Sequence, residues 1–156
     1  MNVLTIGTFD VLHSSHIKLF NVCHEMGDLT VAINSDEFVR QYKGIIPLDN
    51  QRVRREKISR YVLDTRIHDG GTPEFIDHWL RTRSTRCVLA IGSDWARKDY
   101  MAQLGITHDW LDIRELNLLY VSFIKPESST DRRNAVNYCA RCGGYNGIHQ
   151  PDCVTL

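Results

Sequence analysis

Residues 1–16 constrain the fold more than any other stretch of this chain. Val3-Leu4-Thr5-Ile6 is a short apolar run that reads as a buried strand. Gly7-Thr8-Phe9-Asp10-Val11-Leu12-His13-Ser14-Ser15-His16 follows it directly. An amphipathic run comes next, with Ile17, Phe20, Cys23 and Met26 at helical spacing and Gly27 placed to end the helix. The segment is therefore a strand-to-helix turn with a glycine at its bend. Parallel α/β sheets put ligands at such turns, where the first N–H groups of the helix favour an anion. His13 and His16 are three residues apart, so a helix start places them on one face. Imidazoles there can donate hydrogen bonds to phosphate oxygens.

The pattern continues as alternating buried strands and helices. Leu29–Asn34 reads as a second strand, and Ser35-Asp36 caps a short helix over Glu37–Tyr42. Lys43-Gly44-Ile45-Ile46-Pro47 reads as a mobile loop. Asn50 caps a long helix, Gln51–Leu63, whose Arg52, Arg54, Arg55, Lys57 and Arg60 read mostly as a solvated face. Thr65–His68 is a short strand, Asp69-Gly70-Gly71 a turn, and Pro73 opens a helix over Glu74–Thr82. Cys87–Ile91 is a third strongly buried strand, ending in Gly92-Ser93-Asp94-Trp95. Tyr100, Leu104, Trp110 and Leu111 predict a packed helical insertion over Lys98–Glu115, and Asn117–Phe123 is the last strand.

Length and charge bound the class. At 156 residues the chain forms one main domain with its own core. The formal net charge is zero, which gives no general reason to bind nucleic acid. No apolar run is long enough to span a bilayer, and the N-terminus enters a strand with no basic-plus-apolar leader. The expected location is cytoplasmic, with no membrane partner.

The G-T-F-D-x-x-H-x-x-H pattern resembles the signature of the small nucleotidyltransferases, G-x-F-D-x-x-H-x-G-H, and most of all the glycerol-3-phosphate cytidylyltransferase type. Ile17-Lys18-Leu19-Phe20 matches that type's I-K-L-L, and Ala32-Ile33-Asn34-Ser35-Asp36-Glu37-Phe38 matches its A-I-S-T-D-E-F. Gly92-Ser93-Asp94-Trp95 is similar to G-D-D-W, and Ser128-Ser129-Thr130 to an I-S-S-T element that opens the final helix. The likeness covers most of residues 1–133. It departs in five places: Ser15 stands for the glycine between the histidines, Ile45 for a second loop lysine, Leu63 is inserted after Arg60-Tyr61-Val62, Lys98–Glu115 is longer than the family's connector, and Lys125 stands near a family arginine.

This resemblance implies a Rossmann-like fold over residues 1–136, a five-stranded parallel sheet with helices on both faces. It implies nucleotidyl transfer with release of pyrophosphate, the substrates being a nucleoside triphosphate with Mg²⁺ and a small phosphorylated acceptor. His13, His16 and the closing-loop Lys43 are the implied catalytic residues. Gly7, Thr8, Phe9, Asp10, Asp94, Lys125, Ser128, Ser129 and Thr130 are implied for the nucleotide and its phosphates. Arg52, Arg60 and Trp95 are implied for the acceptor. The lead reading is CTP with glycerol 3-phosphate, giving CDP-glycerol. The alternatives are an adenylyltransferase using ATP, or a nucleotide-binding module without catalysis that docks a partner.

Three of the five cysteines fall in residues 137–156, spaced as C-x2-C-x6-H-x3-C over Cys139, Cys142, His149 and Cys153. Thiolates and an imidazole suit tetrahedral zinc, and the segment resembles a zinc knuckle. So small a tail would draw its folding energy from the metal. A structural zinc site is expected there, with a second copy of this chain or a nucleic acid as its conceivable partners. Cys23 and Cys87 sit in apolar patterns and are expected in the core.

Overall fold

A computed structural model describes residues 1–93 and 98–122. Five strands are joined by six helices: β1 (Asn2–Gly7), α1 (Ser14–Met26), β2 (Asp28–Asn34), α2 (Asp36–Lys43), α3 (Gln51–Ile58), β3 (Asp64–His68), α4 (Thr72–Arg81), β4 (Cys87–Gly92), α5 (Tyr100–Leu104), α6 (His108–Ile113) and β5 (Leu116–Val121). The strands form one parallel sheet in the order β3-β2-β1-β4-β5. Chain order reverses at β1, so the crevice between β1 and β4 is the switch point where such sheets take ligands.

The sheet is covered on both faces, which is why its strands read as apolar runs rather than as an alternation. Successive residues still point to opposite sides. Leu4, Ile6, Cys87, Leu89 and Ile91 pack in one core with Ile76 and Trp79 of α4 and with Tyr100, Leu104 and Leu111 of the insertion. Val3, Leu29, Val31, Ile33 and Ala90 pack in the other core with Leu19, Phe20 and Cys23 of α1 and Ile58 of α3. The helical insertion expected between β4 and β5 is therefore α5 and α6, closing one face of the sheet. Cys23 and Cys87 are both buried, and burial pushes the Cys23 thiol up to about 12, so it is inert at neutral pH.

The expected stripe of α1 and the expected length of α3 need correction. The inward stripe of α1 is Ser15, Leu19, Phe20 and Cys23, rather than a stripe beginning at Ile17. The helix expected over Gln51–Leu63 stops at Ile58 and continues only as turns through Val62. Gly27 does follow α1, and its requirement is one of space. A Cβ there would lie 2.0 Å from the Met1 carbonyl oxygen, which accepts the Asp28 N–H at 2.9 Å.

Candidate active site

The turn after β1 is tightly wound. Phe9 and Val11 both take positive φ, 51° and 53°, a conformation that strains residues with a Cβ. Burial offsets that strain: the Phe9 ring meets the rings of His16 and Phe20 edge-on at 5.3 and 5.4 Å. It also lies over Gly7, where a Cβ would be 2.9 Å from Phe9 Cζ and would have to displace the ring. Asp10 is buried and its two carboxylate oxygens accept the backbone N–H groups of Leu48 and Asp49, both at 3.1 Å. It thus ties the loop after α2 to the motif turn.

His13 is the N-cap residue of α1 in extended conformation, without a side-chain cap, and no acid lies in the first turn. The positive end of the helix dipole is therefore not countered by a carboxylate on α1 itself. The His13 and His16 rings stack at 3.8 Å with 22° between their planes. The shared face expected from their spacing is thus present, at the C-terminal end of β1 beside the switch point. Ser15 points into the core, 2% exposed, on the side of α1 that packs against the sheet.

A second group meets the turn from α2. Ser35 caps this helix by accepting the Phe38 N–H at 3.2 Å, and Gly44 ends it. Lys43 is thus the last residue of α2 rather than part of a loop, with its ammonium 3.4 Å from Thr8 Oγ1. Tyr42 Oη lies 3.2 Å from the same hydroxyl, and Asn34 Nδ2 donates to both, at 3.4 Å to Thr8 and 3.1 Å to Tyr42. Asn34 ends β2 and His68 ends β3, opposite each other in register, and His68 Nδ1 lies 2.9 Å from Asn34 Oδ1.

Arg54 holds these pieces together. It is 1% exposed and donates to the carbonyls of Thr8 (2.6 Å), Asn34 (2.8 Å) and Asp49 (2.9 Å), and to Asp36 Oδ1 (2.6 Å). Only a planar guanidinium can satisfy this many acceptors from one position. The solvated-face reading of α3 fails here, and in part for its neighbours, since Arg55 donates to Thr65 and Lys57 pairs with Asp49. The missed signal was spacing: Arg54 is four residues before Ile58, on the buried stripe of α3. Asn34, Tyr42 and His68 were also missed as site residues, although strand ends are where an α/β sheet exposes contacts.

The histidines, Gly7, Thr8, Phe9, Asp10 and Lys43 converge on the end of β1. Arg52 and Arg60 do not join them. Arg52 is on the open face of α3, 82% exposed, paired with Glu56 at 3.8 Å. Arg60 is exposed beside Tyr61, whose carbonyl is 3.0 Å from His24 in the last turn of α1, toward the opposite end of the sheet. Asp94, Trp95, Lys125, Ser128, Ser129, Thr130 and the tail residues Cys139, Cys142, His149 and Cys153 lie outside the described residues. Among the described residues no cluster of three or more His, Cys, Asp or Glu could hold a metal, and no helix is long and apolar enough to cross a membrane.

Comparison with known proteins places this geometry. The cytidylyltransferase-like family model matches residues 4–136. A FAD synthase of Thermococcus kodakarensis is 39% identical over 97 residues, which cover 60% of this chain and 63% of that protein. The glycerol-3-phosphate cytidylyltransferase of Bacillus subtilis is 35% identical over 102 residues, covering 62% of this chain and 74% of that one. Its Staphylococcus aureus counterpart is 41% identical over 96 residues, covering 60% and 70%. The crystal structure of a lipopolysaccharide core biosynthesis protein from Thermoplasma volcanium superposes with a TM-score of 0.58 at 21% identity, over 80% of this chain and 98% of that one, a likeness of fold. A family match over residues 4–136, with the paired histidines where the signature puts them, makes this chain a member of the cytidylyltransferase-like family.

Proposed function

We propose that the protein is a nucleotidyltransferase that couples a nucleoside triphosphate to a small phosphorylated acceptor. The stacked His13–His16 pair at the start of α1, with Lys43 across the turn, is the observation that carries this reading. An acceptor phosphate oxygen attacks the α-phosphorus in line. The bond from that phosphorus to the bridging oxygen breaks, and pyrophosphate leaves with the electron pair. No covalent enzyme intermediate is required. The imidazoles and the N-terminal dipole of α1 stabilise charge on the transferring phosphate, and the Lys43 ammonium follows charge that moves to the leaving group. The triphosphate arrives as its Mg²⁺ complex. Phosphate oxygens and water suit that ion without an all-protein cage.

The specific reading is CTP with glycerol 3-phosphate, supported by the continuation of the motif through Ile17-Lys18-Leu19 and by the two glycerol-3-phosphate cytidylyltransferase relatives. A second reading, adenylyl transfer from ATP, is favoured by the 39% identity to a FAD synthase. Pyrophosphate release decides between them when CTP or ATP is supplied in turn against glycerol 3-phosphate, FMN and other phosphomonoesters. Release with one pair, lost in His16→Ala, is expected. Nucleotide binding with no release from any pair would sink the enzyme reading and favour a non-catalytic nucleotide module. Asp94, Trp95, Lys125, Ser128, Ser129 and Thr130 remain proposed ligand contacts. Zinc is proposed at Cys139, Cys142, His149 and Cys153 on their spacing alone, to be checked by metal analysis of the purified protein.

A further inference from the structure

A buried chain of hydrogen bonds runs from α4 to the mouth of the site, and its direction can be read. Thr72 Oγ1 lies 3.1 Å from His68 Nε2, and His68 Nδ1 lies 2.9 Å from Asn34 Oδ1. The Asn34 amide nitrogen donates to Tyr42 Oη and Thr8 Oγ1. His68 is 1% exposed, with the rings of Phe38 and Phe75 edge-on at 5.1 and 5.0 Å. Burial holds its pKa below the usual imidazole range, against the opposing effect of Asp69, so the ring is neutral at pH 7. An amide oxygen only accepts, so a bond to Asn34 Oδ1 requires the proton on Nδ1. Nε2 is then the acceptor, and the Thr72 hydroxyl donates to it.

The consequence lies at the other end. Thr8 Oγ1 accepts from Lys43 and Asn34, which directs its own proton toward Tyr42 Oη. Tyr42 Oη then accepts from both Asn34 and Thr8, and its proton is left to point outward. Tyr42 is half-buried and Lys43 is exposed.

We infer that His68 is a positioning residue: as the Nδ1–H tautomer it orients the Asn34 amide, so that Tyr42 O–H and Lys43 N–H are both presented as donors to an anionic phosphate oxygen. The opposite tautomer would turn the Asn34 amide round. Its oxygen would then take the Tyr42 proton, and a donor facing the ligand would become an acceptor. The identity of the anion as a substrate phosphate rests on the nucleotidyl-transfer reading; the tautomer and the donor assignment do not.

Two measurements test this without turnover. Long-range ¹H–¹⁵N spectra of the wild-type protein at pH 7, with the signals assigned by their loss in His68→Leu, should show Nδ1 protonated and Nε2 bare. A protonated Nε2 with bare Nδ1 overturns the inference. Calorimetric binding of pyrophosphate should weaken about tenfold in Tyr42→Phe, the scale of one hydrogen bond to a charged acceptor. His68→Leu should weaken it similarly, and the double variant should be no weaker than either single one. Full additivity would make His68 a packing residue, and unchanged binding in Tyr42→Phe would remove the donor; either overturns the inference. Failure of the enzyme reading has a different signature: binding insensitive to His16→Ala yet weakened by Tyr42→Phe leaves this inference standing without it.

Discussion

At the N-terminal end of the strands, Asp64 accepts from Thr30, Arg66 and Arg83, and Thr30 accepts in turn from the Trp79 indole. At the C-terminal end, Thr72, His68, Asn34, Thr8 and Tyr42 form a chain of neutral groups that ends beside the Lys43 ammonium. The first cluster answers an acid with two cations and spends its bonds inside the fold. The second runs from buried Thr72 and His68 to the exposed Lys43. One end of the sheet is closed on itself, and the other is the end at which we propose an anion binds. Both are polar, so the direction of the hydrogen bonds separates them, which composition does not report.

The sharpest break of this contrast is His16→Ala. It should reduce turnover on the order of a thousandfold, by removing charge stabilisation at the reacting phosphate, while Tm stays within a few degrees. Rate assays beside thermal melts read this; retained turnover would move the chemistry away from α1. Next in size is Arg54→Met, which leaves three carbonyls and Asp36 without their donor. A loss of about 3 kcal/mol, or a fall in Tm on the order of 10 °C, is expected from calorimetry. A neutral result would mean that the turn holds itself without Arg54.

Lys43→Ala should lower kcat on the order of tenfold to a hundredfold and leave Tm nearly unchanged, because the side chain is exposed and its contacts are weak, a long one to Thr8 and the Tyr42 ring at 5.3 Å. The smallest effect belongs to the closed end. Burial raises the Asp64 pKa, but the bonds from Arg66 and Thr30, the Arg66 charge and the Arg83 bond outweigh it, and the net shift is downward. A carboxyl whose folded pKa is depressed stabilises above its unfolded value, near 4, and loses that contribution as pH falls through its folded value. Asp64 is 37% exposed, so the contribution is below about 1 kcal/mol. Wild type should therefore exceed Asp64→Asn in urea-melt stability at pH 7, and the gap should close below about pH 4.

Much of the fold was legible because both-face burial and capping are local signals. Val3–Ile6, Leu29–Asn34 and Cys87–Ile91 are apolar enough to be strands in any arrangement, and Ser35 and Asn50 cap the helices expected of them. The histidine pair was legible because three-residue spacing at a helix start fixes a shared face. Helix length was less so: α3 ends at Ile58 although its sequence favours helix well beyond. The basic run of α3 was misread at Arg54 because a guanidinium is polar in every sequence count, and only its partners decide whether burial is tolerable.

The sequence by itself determined the strand–turn–helix, the paired imidazoles and the order of elements, since periodicity, glycine and caps act over a few residues. Tertiary structure alone decided that Asn34 faces His68, that Arg54 gathers carbonyls from Thr8, Asn34 and Asp49, and that Tyr42 stands beside Thr8. Those pairings join residues from 5 to 46 positions apart. They depend on strand register and on which backbone oxygens the packed sheet leaves unmatched, quantities that exist only once the parallel strands lie side by side.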